Sequence, residues 1–288
     1  MKVGVVYPQN ETHGDPAGVR EIGLAAEALG YDSLLFYDHV VGAEHADREP
    51  PLWGPYTEDD SFHDPFVAFG YLAAITSRIE LATGVLVLPQ RQTVLAAQQA
   101  ADADLLSGGR LRLGVGTGWN WVEYDALGMD FATRGARLDE QIALMRRLWA
   151  EPLVTFEGRF HALERCCINP RPARQIPIWV GGFSEAAFRR GGAVGDGFTF
   201  AGAPEDAIAG LARVREHLAA AGRDGDEFGL ELILTRARTV DQVVQTMERW
   251  REAGGTAVSV LTEKVGLPTV AAHVDHLAAV RAALAPRL

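Results

Sequence analysis

Short apolar, β-branched runs alternate with longer stretches in which apolar residues recur three and four positions apart, and this rhythm continues along most of the chain. Residues 3–7 read as a first strand. Asp15-Pro16 opens a helix that runs to Leu29: Asp15 is placed to cap it, and Pro16 falls in the first turn, where its missing N–H costs nothing. Gly30 stops it at the position that favours a left-handed residue. Residues 33–36 read as a second strand, and Asp64-Pro65 repeats the cap signal for a helix through Thr76. A third strand spans 79–88, a helix 93–106, a fourth strand 110–115, and a longer helix 133–149 carries Leu138, Ile142, Met145 and Trp149 on one face.

The rhythm breaks over residues 151–175, where Pro152, Gly158, Pro170 and Pro172 mark an excursion, with a small hairpin across Glu157-Gly158. It resumes with strands at 178–180, 197–200, 231–234 and 257–261 and helices at 184–190, 204–220, 240–253 and 269–284. Eight strand–helix pairs are what an α/β protein needs to close a (β/α)8 TIM barrel, here one domain over 1–288 with an insertion between strands 4 and 5. A doubly wound open sheet is the competing topology, weakened because no Gly-x-Gly-x-x-Gly follows the first strand.

Composition narrows the function. The 288 residues are 48% hydrophobic, enough for a large core without staples. The net charge of −11 argues against nucleic acid or an anionic membrane as a partner. It leaves room for an anionic cofactor, which helix N-termini bind through backbone amides. The two cysteines, Cys166 and Cys167, are adjacent, a spacing unsuited to a mutual bridge or to metal. With no signal-peptide pattern and no run of eighteen apolar residues, a cytoplasmic protein is expected.

Candidate chemistry gathers after the strands. Asp38-His39 follows the second strand: His39 suits proton transfer near neutral pH and Asp38 could orient its ring, against the plainer reading of a cap and a surface residue. Thr83-Gly84-Val85 places a glycine inside the third strand, a signal for a bulge or for a neighbouring strand that needs the space. Gly116-Thr117-Gly118-Trp119 after the fourth strand is a turn nearly free of side chains, open to a flat or phosphorylated ligand. Trp119, Trp121 and Glu123 are placed to wall a planar ligand, against the plainer reading in which the tryptophans pack the loop and Glu123 begins a helix. Gly181-Gly182-Phe183-Ser184, leading into a helix, has the form of a phosphate site, although paired glycines also occur in plain loops. Residues 41–62 form the longest irregular stretch and read as a lid or binding loop; Trp53 within it joins Trp121 and Glu123 as substrate-pocket candidates. The histidines show no metal-ligand spacing, and His273 and His276 on the last helix are read as facing solvent.

In this order the segments resemble the luciferase-like monooxygenase superfamily, and within it the branch of deazaflavin (coenzyme F420)-dependent oxidoreductases. The likeness runs over nearly the whole chain. It is strongest at Asp38-His39, Asp64-Pro65, Ser77-Arg78-Ile79-Glu80-Leu81-Ala82-Thr83-Gly84-Val85, Leu106 through Trp119, Arg134-Gly135-Ala136-Arg137-Leu138-Asp139-Glu140 and Ile178-Trp179-Val180-Gly181-Gly182. The resemblance implies a flavin or deazaflavin across the barrel mouth, pressed by a non-prolyl cis peptide at or beside Gly84–Val85. It implies phosphate binding at Gly181, Gly182, Phe183 and Ser184, and Asp38 and His39 beside the reactive ring carbon. Where the family's sugar-phosphate dehydrogenases carry Glu and Asn after this glycine turn, Trp119 and Val122 stand here, which argues against glucose-6-phosphate as substrate. The resulting expectation is hydride transfer between reduced coenzyme F420 and a small organic substrate, in a homodimer built on the helices after strands 2 and 3. The alternative is an FMN-dependent two-component monooxygenase using O2 with a separate reductase; a third reading is a relative that has lost its cofactor.

Overall fold

The computed structural model describes residues 1–287, leaving Leu288 outside. Among the described residues nine parallel strands form one sheet: β1 (Lys2–Val6), β2 (Ser33–Phe36), β3 (Glu80–Thr83), β4 (Leu86–Val87), β5 (Leu111–Gly116), β8 (Ile178–Gly181), β9 (Gly197–Phe200), β10 (Gly229–Ile233) and β11 (Ala257–Leu261). β4 continues β3, and pairing of β3 with β5 closes the ring, so the staves number eight, as the (β/α)8 pattern requires. Strands β6 (Val154–Glu157) and β7 (Ala162–Cys166) form the antiparallel hairpin expected within 151–175, with a wider loop.

The outer layer is α2 (Pro16–Ala28), α3 (Pro65–Ile75), α4 (Thr93–Ser107), α6 (Arg134–Ala150), α7 (Glu185–Val194), α8 (Pro204–Ala220), α9 (Val240–Glu252) and α10 (Val270–Leu284). The expected caps form: Asp15 accepts from the Ala17 N–H and Asp64 from the Phe66 and Val67 N–H groups. Two short helices had no periodic signal because each is too brief to show one: α1 (Gln9–Thr12) after β1 and α5 (Trp121–Ala126), capped by Asn120, after β5. The span 79–88, read as one strand, is interrupted at a cis Gly84–Val85 bond and stops at Pro89, which has no N–H for the ladder.

Strand alternation sorts residues between two interiors. Val3, Val5, Leu34, Phe36, Leu81, Leu113, Val180, Phe198, Leu230 and Val258 point outward into the main core beneath the helices. The opposite parity fills the barrel. Val6, Leu35, Ala82, Ile233 and Leu261 form a compact apolar layer there. Nearer the strand N-termini, Arg112, Glu231, Ser259 and Thr199 form a buried polar layer, with Arg112 stacked on Trp179. His273 corrects the sequence reading: it is buried against Thr262, whose hydroxyl lies 2.8 Å from Nδ1, and its Nε2 lies 3.3 Å from Glu11. Cys166 and Cys167 are exposed free thiols.

Candidate active site

The apolar layer ends at the carboxyl side of the strands, and there the bulge after β3 turns the Val85 side chain into the barrel mouth. A Cβ on Gly116 would lie 2.5 Å from Val85 Cγ2, and one on Gly181 would lie 2.6 Å from Val85 Cγ1. These glycines therefore make room for the valine first, which revises the expectation that they are bare for a ligand alone. Gly118, at φ +63°, is held to glycine both by its left-handed backbone and by Val87 beneath it. Thr83 donates to the Gly114 carbonyl at 2.6 Å and fixes the start of the bulge.

Above this floor lie two adjoining cavities that share Gly84, Val85, Gly118, Trp119, Phe183, Ala201 and Ile233. The first, of about 680 Å³, runs over Gly116 and Thr117 to Gly181, Gly182, Phe183 and Ser184. Ser184 caps α7 by accepting from the Ala187 N–H, so the cavity ends at a helix N-terminus. Arg134 and Arg190 flank that end. Arg190 is held by Asp139 at 2.5 Å and by the Gly135 carbonyl, whereas Arg134 lies over Phe131 and has no carboxylate partner among the described residues. Glu185, in the first turn of α7, bonds to Arg213 and His217, which hold its carboxyl down at about 2. Together they counter a charge that would otherwise oppose an anion there.

The second cavity, of about 480 Å³, is walled by Tyr37, His39, Pro55, Tyr56, Trp119, Arg236, Arg238, Glu263 and Lys264. His39 Nδ1 lies 3.2 Å from Glu123 Oε2, and its ring packs against Tyr56, Phe62 and Trp119. The Glu123 carboxylate, 1% exposed, also accepts from the Val40 and Val41 N–H groups at 2.7 and 3.2 Å. Facing a carboxylate, Nδ1 is the donating ring nitrogen, and Nε2 has no protein partner among the described residues. Burial pushes the Tyr37 and Tyr56 phenols above their ordinary value, so both stay protonated.

Asp38 and His39 adjoin in sequence and part in space. Asp38 has the outward parity of Leu34 and Phe36; its carboxylate accepts from the Val87 N–H at 2.9 Å and from Arg91 at 2.6 and 3.2 Å. It pins the bulge and only edges the cavity, and Glu123, not Asp38, orients His39. Burial works against the charge on Arg91, but Asp38 and Asp64 outweigh it and raise its pKa. Of the expected substrate-pocket residues, Glu123 sits behind His39, Trp53 is 79% exposed and lines neither cavity, and Trp121 lies under Arg48 outside both. Trp119 does line both, seated against Gly54 of the long loop.

The profile of the luciferase-like monooxygenase family matches residues 1–282. The chain belongs to this family. Among the relatives of this luciferase-like protein, an uncharacterised protein of Mycobacterium tuberculosis H37Rv is 36% identical over 249 residues, 83% of each chain. The F420-dependent glucose-6-phosphate dehydrogenase of Kineococcus radiotolerans is 30% identical over 269 residues, 89% of this chain and 74% of that one. An F420-dependent secondary alcohol dehydrogenase, solved with an F420-acetone adduct, superposes with a TM-score of 0.79 at 16% identity over 98% of each chain, a likeness of fold.

Sequence reasoning missed three contributors to this luciferase-like mouth. Arg134 and Arg190 reach the first cavity from α6 and α7, and nothing local in sequence links them to Gly181-Gly182. Glu263 lies just past β11, and strand parity alone could have found it: 257, 259 and 261 point into the barrel, so 263 points into its mouth.

Proposed function

We propose that this protein is an F420-dependent oxidoreductase that transfers a hydride between reduced coenzyme F420 and a small organic substrate. The observation that carries the reading is the form of the mouth: two joined cavities, floored at their junction by the Val85 bulge, one ending in a cationic helix start and the other in a histidine with a free ring nitrogen. The dehydrogenase relative named above supports the choice of deazaflavin.

The residues fit such a group. Thr83, Gly84 and Val85, with Gly116, Thr117, Gly118 and Trp119, would hold its flat end; Gly181, Gly182, Phe183 and Ser184, with Arg134 and Arg190, would hold its anionic tail. When bound, the deazaflavin supplies or accepts the hydride. His39 exchanges a proton with the substrate at Nε2 while Glu123 holds its Nδ1–H and steadies the positive charge that protonation would bring. Tyr56, Phe62 and Trp119 keep the ring from turning and limit water around it. Titration with F420 and with FMN, side by side, tests the reading: saturable perturbation of the F420 absorption band supports it, and binding of FMN alone overturns it in favour of a flavin monooxygenase.

We also propose a homodimer through α3 and α4. Val67 and Leu106, 73% and 71% exposed, lie on these neighbouring helices together with Tyr71, Val94, Leu95 and Leu105, more exposed apolar surface than a lone helix pair needs. Sedimentation velocity of the wild type and of Leu106→Glu tests it: a dimer dissociated by the substitution is expected, and a wild-type monomer at tens of micromolar overturns it.

A further inference from the structure

Four carboxyl groups of this molecule are nearly inaccessible and hydrogen-bonded. Asp38, Asp104, Glu123 and Glu231 each accept two or more hydrogen bonds, from backbone N–H groups, arginines or hydroxyls. Glu263 is as deeply placed, at 2% exposed, and differs from all of them: its Oε1 has no hydrogen-bond partner. It lines the second cavity with His39, Tyr37 and Tyr56. A buried carboxyl group with an unpaired oxygen is costly, and where its residue lines a cavity a ligand in that cavity can supply the contact the protein does not.

The surroundings set its state. From α1 the backbone N–H of Asn10 favours its charged form, and Glu11 opposes it; Lys264, next in sequence, favours charge; Asp60 of the long loop opposes it. Tyr37 and Tyr56 face it as neutral phenols, and Arg238, from the segment after β10, is turned to the Glu263 backbone carbonyl at 3.3 Å. Desolvation outweighs the rest and lifts the carboxyl to about 7, so near neutral pH much of it keeps a proton it can donate.

We propose that Glu263 contacts the substrate directly, its carboxyl group meeting the oxygen of a carbonyl compound or of the corresponding alcohol. This assigns the chamber an oxygenated substrate whose polar atom is received at the end of β11 while His39 serves it from the end of β2. The proposal rests on reading this chamber as the substrate side of a deazaflavin site.

Infrared difference spectroscopy of the intact protein, with cyclohexanone as the probe, tests it. At pH 6 the wild type is expected to show a protonated-carboxyl band that is absent from Glu263→Gln and that shifts when cyclohexanone is added. Calorimetric titration should find cyclohexanone bound about tenfold more weakly by Glu263→Leu, the loss expected for one hydrogen bond, and within about threefold of wild type by Glu263→Gln, whose amide keeps a donor. Affinity for F420, read from its absorption, should stay within about twofold of wild type in both variants, since Glu263 lies outside the first cavity. A band that is missing or does not move, or a Glu263→Leu variant that binds cyclohexanone like wild type, overturns the proposal. A moving band in a protein that fails to bind F420 overturns the cofactor reading and leaves the Glu263 contact standing.

Discussion

At the amino ends of its strands the barrel holds Arg112 between Glu231, at 2.9 Å, and Glu80, at 2.6 Å, with Ser259 and Thr199 donating to the remaining lone pairs of Glu231 and Trp179 lying under the guanidinium. Each charge there has an opposite charge within reach. At the carboxyl ends, Arg134, Arg236, Arg238 and Lys264 border the cavities with no carboxylate partner among the described residues, His39 keeps one nitrogen free and Glu263 one oxygen. The same staves thus carry a finished polar network at one end and an unfinished one at the other. Of these groups Arg236, Arg238 and Lys264 are exposed to solvent, His39 and Arg134 are half-buried, and Glu263 is buried; burial without a partner is expensive, so Glu263 marks the place where a ligand is expected to complete the hydrogen bonding. The amino end makes the barrel stable, and the mouth reserves its polar groups for chemistry.

The largest expected effect separates the two ends by activity. His39→Asn should reduce turnover about 10²–10⁴-fold, the usual contribution of a positioned proton-transfer group, while leaving the thermal midpoint unchanged. Single-turnover decay of reduced F420 with substrate, beside a melting curve, checks both halves. An equal loss of stability would mean that His39 is a packing residue.

The opposite signature belongs to the other end. Arg112→Leu leaves Glu231 buried among hydroxyls without its cation, which should cost about 3–5 kcal/mol of stability and leave the F420 affinity of the folded protein at the wild-type value. Urea unfolding and cofactor titration of the same sample make the comparison. Weakened cofactor binding at unchanged stability would move Arg112 into the functional class and erase the contrast.

How much of this contrast could be read before the structure depends on the range over which each signal acts. The barrel was legible because its signals are local: caps at Asp15 and Asp64, the glycine stop at Gly30, and apolar runs of strand length. His39 was legible as a residue at a strand end. Its partner was not, because adjacency in sequence suggested Asp38, whereas alternation turns neighbours to opposite sides and the partner, Glu123, is 84 residues away. Trp53 was misplaced for a related reason: in a long loop no periodicity fixes which way a side chain turns. Glu263 carried a legible parity but no motif to draw attention to it.

Proton linkage gives Glu263 a stability signature of its own. Burial raises its carboxyl from about 4.5 to about 7, so within that window the native state holds a proton that the unfolded chain has released. Stability should therefore fall as pH rises from 4.5 to 7, by an amount on the order of 3 kcal/mol, and level off above it. Glu263→Gln should remove this component of the pH dependence and be the more stable protein at pH 8. Urea midpoints between pH 4.5 and 8 read the difference; parallel curves for the two proteins would mean that a partner at Oε1 already satisfies the group.

The smallest effect bears on why the mouth is built from glycine. If Gly181 is bare because Val85 occupies the space, Gly181→Ala forces its new methyl against Val85 Cγ1, 2.6 Å away, and should cost about 1–3 kcal/mol of stability through overpacking. Val85→Ala in the same chain should then recover part of that loss, because the valine methyl groups in the way are gone, and the coupling between the two substitutions should be favourable. If the glycine serves a ligand alone, Gly181→Ala leaves the urea midpoint where it was, weakens only cofactor binding, and gains nothing from Val85→Ala. The double-mutant cycle separates a glycine required by the fold of the bulge from one required by what the bulge faces. It also tests whether the mouth follows the rule of the amino end, where Gly197 and Gly229 are bare because Trp179 lies against them.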